Sequence, residues 1–303
     1  MEVYRTGDVL TITYKSSWQN NIGTYQELIK TYSLISQSDA KIVYLQMEKV
    51  EFIAANLFAV LGGMFYELCE VQKRRIGFRS LRDKIKTVMQ KNAFGSFFHL
   101  EKMEDKYHTT IDYRPFRADT IDLEQFEKYI IFNVFQHSRM PDMTEPVRDV
   151  IIDNFLEMFN NVIDHAESEL VHVCGQFFPK KKRLVLSIVD LGLTIRDNIE
   201  IYQESLLARE ESSLKWAIAK GNSTKTDNTP GGLGFSIILD FLEQNQGKFV
   251  LISGNEYFCK NPKEGKFLPL DYSFPGTIVT ITFNMNDDFS YILVDEDIES
   301  IKL

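Results

Sequence analysis

The sequence predicts a mixed α/β protein in two parts, a smaller α/β module over residues 1–105 and a larger α+β unit over residues 121–290. Three observations lead there. Short β-rich runs alternate with helical periodicities through the first hundred residues. The pattern lapses over residues 106–120, where Pro115 would interrupt a helix. A second series then opens with helix and runs into paired strands. Strands joined through helices require crossovers, and a sheet covered by helices is the compact way to bury both.

In the first series VLTITY (9–14), KIVYLQM (41–47) and RIGFRSL (75–81) have strand composition. Between them, residues 24–37 repeat apolar side chains at Leu28, Ile29, Tyr32 and Ile35, and residues 54–72 form a long apolar helix. Residues 82–98 are amphipathic, with Ile85, Val88 and Met89 on one stripe. Residues 106–120 are taken as the connection between the parts. The second series starts with a helix over 121–139. Thr144 and Pro146 then mark the start of another that runs to about Ala166. LVHVCGQFF (170–178) and RLVLSIVD (183–190), joined by a basic turn, predict a hairpin. Helix is expected over 196–222 and 235–245, with strands at 248–254 and 276–283. Residues 291–303 are an acidic tail.

Composition narrows the function. Of 303 residues, 44% are hydrophobic and 25% charged, as in soluble globular proteins, and no apolar run reaches membrane-spanning length. Net charge is −9, and the two basic runs, Lys73-Arg74-Arg75 and Lys180 to Arg183, fall at a helix end and a turn. Nucleic-acid binding is not predicted, because it is driven by clustered cations that neutralise phosphates. Three dispersed cysteines without a CxxC pair suit a reducing, cytoplasmic setting.

Three segments carry candidate chemistry. On the helix ending near Ala166, Glu157 and Asn161 are one turn apart, beside Asp164 and His165. A carboxylate next to an amide oxygen can orient a water and hold a hard cation; the same pattern also describes a solvated polar face. Asp190-Leu191-Gly192 ends an apolar strand, so a carboxylate sits at a tight turn, where it could read an amine or simply form the turn. Gly231-Gly232-Leu233-Gly234 opens a helix, where backbone N–H groups and the helix dipole favour phosphate. It is neither a Walker loop nor a GxGxxG turn.

Taken in order, LEMFNNVIDHA (156–166), VDLGLTI (189–195), GGLGFSI (231–237) and PGTIVTITF (275–283) resemble the Asn box, the two Gly boxes and the terminal strand of the GHKL superfamily, the Bergerat-fold ATPases. The resemblance covers about 160 residues. It implies a two-layer sandwich, a mixed sheet with helices on one face, and two cofactors, ATP and Mg²⁺. By it, Asn161 would hold the metal and Glu157 would activate water. Asp190 and Thr277 would hold adenine, with Asp164, His165, Gly192 and Thr194 around the nucleotide. Gly231, Gly232, Leu233 and Gly234 would meet the phosphates, joined by Ser223, Thr224 and Lys225 from a lid over 196–230. Thr194 stands where the family's first Gly box has its second glycine, and His137 lacks the context of a phosphoacceptor.

The turn VEFIAANLFAVL (50–61) resembles the strand-to-helix turn of STAS domains, with Ala54, Ala55 and Asn56 where a phosphorylatable hydroxyl commonly stands. These likenesses imply a nucleotide-controlled switch acting on a protein partner, with slow ATP hydrolysis. The alternatives are a serine/threonine kinase acting on a STAS-like partner and a nucleotide sensor without turnover. A homodimer is compatible with all three.

Overall fold

The computed structural model describes residues 1–202, 212–219 and 235–293. Its first part contains β1 (Glu2–Thr6), β2 (Val9–Thr13), α1 (Ile22–Gln37), β3 (Ile42–Gln46), α2 (Leu57–Phe65), β4 (Arg75–Arg79) and α3 (Asp83–Lys91). The strands form one sheet in the order β1-β2-β3-β4, antiparallel in its first pair and parallel in the other two. The second part contains β5 (Thr110–Arg117), α4 (Thr120–Ile130), α5 (Glu145–Asn161), β6 (Leu170–Phe178), β7 (Arg183–Asp190), α6 (Ile195–Tyr202), α7 (Ser213–Ile218), α8 (Ser236–Gln244), β8 (Lys248–Lys260) and β9 (Gly265–Asn284). Its sheet runs β5-β6-β7-β9-β8.

The molecule is thus mixed α/β, with two corrections to the expected plan. Every described pairing in the five-stranded sheet is antiparallel, so this sheet is not mixed. Its chain order explains why: β6–β7 and β8–β9 are hairpins, and hairpins pair antiparallel. Residues 106–120, taken as the connection, contain β5, the edge strand of that sheet. Three charged side chains, Asp112, Arg114 and Arg117, and Pro115 disguise it, and such residues are tolerated at sheet edges.

Both faces of the five-stranded sheet are covered. Along β7, Leu184, Leu186 and Ile188 pack with Phe155, Phe159 and Ile238 in one core, under α5 and α8. Val189 on the other face joins Ile278 and Ile252 in a core shared with Leu28 of α1 and Phe58 of α2. A strand buried on both faces must be apolar throughout, as RLVLSIVD is. All nine residues of α2 are buried, in line with a helix that is hydrophobic on every side.

A polar chain crosses this second interface. Asn56 Nδ2 donates to Ser187 Oγ at 2.9 Å and to Asn20 Oδ1 at 2.7 Å. Ser187 Oγ and Thr280 Oγ1 are 2.8 Å apart, and Tyr25 Oη lies 2.8 Å from Thr280 Oγ1. Tyr25, Asn56, Ser187 and Thr280 are at most 2% exposed, so each bond stands where water cannot replace it. The turn over 54–56 is therefore a docking element against the larger sheet. A second contact, from Ala55 N–H to Gln176 Oε1 at 2.7 Å, fixes the same turn.

Because one core serves both parts, the chain is expected to unfold in a single transition when followed by near-ultraviolet and far-ultraviolet dichroism together. Asn56→Ala, which strands buried partners, should lower stability by about 2–3 kcal/mol. Two separate transitions in the unmodified protein would contradict the shared core.

Candidate functional site

Backbone register lines up the central side chains of the site. Asp190 on β7 pairs with Thr277 on β9, which pairs with Ser253 on β8. Since side chains alternate along a strand, this row lies on the face that carries Leu186, Ile188, Leu251 and Val279, the face under α5 and α8. It sits where β7 ends, and β8 has register shifts between Ser253 and Glu256. Bulges of this kind bend a strand and re-aim its side chains.

The helix bearing Glu157 and Asn161 is tied to that strand end. Beyond Asn161 the chain widens into a π turn, Val162–Ala166, and Glu167 closes it in the left-handed region at φ 53°. The terminal carbonyl, Ala166 O, accepts from Leu193 N–H at 2.6 Å. Helix ends leave carbonyls unpaired, and here the turn after Asp190 supplies the donor. The approach is close enough to require Gly192, where a Cβ would stand 1.9 Å from Ala166 O. Gly276, at φ +106°, is constrained likewise, and a Cβ there would meet Asp190 O at 2.4 Å.

Asp190 is 5% exposed, and its Oδ1 has no hydrogen-bond partner. Burial pushes its carboxyl up to about 7, against the pull of the Thr277, Asp190 and Gly192 backbone N–H groups. A buried acceptor left open at a strand end, between two glycines that admit no Cβ, is a place where a donor fits.

The structure therefore brings Asp190, Gly192 and Thr277 together and hydrogen-bonds the end of the Asn161 helix to them. Glu157, Asn161 and His165 are half-buried on that helix, whereas Asp164 is exposed. Ser223, Thr224, Lys225, Gly231, Gly232, Leu233 and Gly234 lie outside the described residues. Thr194 starts α6: its hydroxyl donates to Asp197 Oδ2 at 2.6 Å and accepts from Asp197 N–H at 3.1 Å. This reciprocal cap gives a physical reason for threonine where the resembling box has glycine. The helical segment expected over 196–222 appears among the described residues as α6 and α7. Both are anchored by Glu256, which accepts from Arg196 Nη2 at 3.1 Å, from the Ser213 hydroxyl at 2.7 Å and from Ser212. Burial raises this carboxyl, but those donors outweigh it and hold it below its ordinary value.

Two buried polar residues, one along the Asn161 helix and one in the site row, escaped the sequence reading. Asn154, seven positions before Asn161 and so on the same helix face, is 4% exposed with Oδ1 unpartnered. Its i, i+7 spacing was the available signal. Ser253 lies inside an apolar run and gave none.

Among the described residues no group of three or more His, Cys, Asp or Glu side chains is gathered for a metal, and no helix is long and apolar enough to cross a membrane. All three cysteines are free.

The raised carboxyl predicts a pH signature. Unfolded, Asp190 ionises near 3.8; folded, near 7. Between these values the native state binds more protons, so stability falls as pH rises from about 4 to about 7, by at most about 4 kcal/mol. Asp190→Asn cannot ionise. Its stability relative to the unmodified chain is expected to improve across that window in denaturant titrations, and a constant difference would show that Asp190 is not buried as an acid.

No model of a known protein family matches this chain, and no curated protein is significantly similar to it.

Proposed function

We propose that the larger part binds ATP with Mg²⁺ in a pocket of the GHKL, Bergerat type, and that the nucleotide controls contact with a partner protein. The observation that carries this reading is the open Oδ1 of buried Asp190, beside Thr277 and between Gly192 and Gly276. An exocyclic amine is the complementary group: it donates, it is uncharged, and it is planar enough to enter between glycines. The order of the sequence boxes adds the phosphate end, through Gly231, Gly232 and Gly234.

In this reading Asn161 would offer its amide oxygen to Mg²⁺ and Glu157 would orient a water. Bound with the nucleotide, the ion would neutralise phosphate charge. The residues fit that arrangement, since Mg²⁺ bound with a nucleotide needs only one or two protein oxygens, the rest coming from phosphate and water. The smaller part is a STAS-like module in the same reading. Its Ala54-Ala55-Asn56 turn lacks a hydroxyl and is committed to the larger sheet. It would act as a built-in regulatory layer, leaving any partner to be a separate protein.

Thr194 favours a switch over fast turnover. Its side chain is locked to Asp197 at the start of α6, where a second glycine would leave the backbone free. Hydrolysis, if present, would be slow, and phosphoryl transfer to a protein hydroxyl is the second reading of the same pocket.

Titration of the full chain with ATP and MgCl₂ is expected to show saturable heat, and Asp190→Asn to weaken binding at least about tenfold, because the amide can turn a donor toward the amine. No saturation at millimolar nucleotide overturns the proposal. Radiolabelled ATP then separates the two outcomes, with label found in free phosphate for hydrolysis and on an added STAS-like protein for a kinase.

A further inference from the structure

We infer that Ser253 is a positioning residue for base selection: it fixes Thr277 as a hydrogen-bond acceptor beside Asp190 and joins both to the start of α6. The inference rests on the nucleotide reading above and specifies how the pocket would choose among purines.

Ser253 is 2% exposed, so its hydroxyl has no water to turn to. It stands 2.8 Å from Gly276 O, which can only accept, so the Ser253 proton goes there. Ile195 N–H, at the first residue of α6, donates to Ser253 Oγ at 2.9 Å and occupies one lone pair. Thr277 Oγ1 lies 3.3 Å away. With its own proton spent on Gly276, Ser253 can only accept from Thr277. The Thr277 proton therefore points at Ser253, and the lone pairs of this half-buried hydroxyl are left for what lies beside Asp190.

Register makes that consequence local. Asp190, Thr277 and Ser253 are successive partners across three strands, and Gly276, whose carbonyl takes the Ser253 proton, is the residue held against Asp190. Thr277 then presents a hydroxyl oxygen that can only accept, beside the acid of Asp190. That oxygen suits the 6-amino group of adenine and opposes the 6-oxo group of guanine, which would set acceptor against acceptor. Without Ser253 the Thr277 hydroxyl can rotate and donate, and the opposition to a 6-oxo purine is relieved. The Ile195 bond extends the same hub to α6, so the base-reading row and the segment after Thr194 are held by one oxygen.

The test measures Kd for ATP and for GTP, each with MgCl₂, in the full chain and its variants, taking the ratio as the readout. Ser253→Ala is expected to reduce discrimination against GTP by about fivefold or more, the order set by one redirected hydrogen bond. Ser253→Thr, which keeps the hydroxyl, should restore it to within about twofold of the unmodified chain. Thr277→Val should lose discrimination as well, and the double variant Ser253→Ala/Thr277→Val should lose no more than the worse single one. A role confined to stability would lower the melting temperature and leave the ratio unchanged, and that result overturns the inference while the nucleotide reading stands. Should Ser253→Ala not fold, Ser253→Cys serves in its place, with an intermediate ratio expected and an unchanged ratio overturning the inference. Failure of the unmodified chain to bind either nucleotide overturns both readings.

Discussion

Burial of the five-stranded sheet on both faces is the constraint from which the rest follows. A sheet in that position has no water to satisfy its polar side chains, so each one must find a partner or remain as a cost of about 1–3 kcal/mol. On the face toward α1 and α2 the sheet's own hydroxyls are satisfied, since Ser187 and Thr280 bond each other and meet Asn56 Nδ2 and Tyr25, although Asn56 Oδ1 is left without a partner. On the face toward α5 the row at the strand end is satisfied at Ser253 and left open at Asp190. The contrast lies within one pair of strands, β7 and β9, between hydroxyls that hold the fold and a carboxyl oxygen left open.

The helical and strand periodicities were legible because burial wrote them into the chain. RLVLSIVD could only be a strand covered on both sides, and the stripe from Val147 to Val162 could only be a helix over an apolar surface. The limits of legibility have equally physical causes. β5 is an edge strand, and Asp112, Arg114 and Pro115 are residues that edges tolerate and central strands exclude. β8 and β9 run on well past their predicted ends, to Lys260 and back to Gly265. There the hairpin carries exposed lysines, and its sequence loses the apolar signal that announced the buried half. The candidate site was readable as separate boxes, but Ser253 was not, since its importance comes from register with a residue 24 positions away.

The smaller part changes what the larger sheet can do. The face it covers is unavailable for contact with another chain, and the Ala54-Ala55-Asn56 turn is occupied by bonds to Ser187 and Gln176. Signals between the two parts would have to travel through β7 and β9, because the polar chain from Tyr25 and Asn56 ends on those strands. These are the strands that end at Asp190 and begin their paired run at Thr277. Coupling of this kind needs no moving wire between distant points. It requires only that a shift of one strand against its neighbour be felt on both faces.

The acid itself gives a reason for the arrangement. A carboxyl raised to about 7 is held near the balance between its two forms, and the form it takes depends on what lies beside it. A donor entering the pocket favours the anion, while an acceptor favours the protonated acid, so Asp190 alone would tolerate either class of ligand by exchanging a proton. Selection must then come from a neighbour that cannot change its role. A free hydroxyl could rotate and accommodate both, as the acid does. Thr277 is prevented from doing so only because Ser253 has already given its proton to Gly276. The adaptable group and the fixed group thus stand side by side, and under the proposed function the fixed one decides which purine the adaptable one is allowed to read.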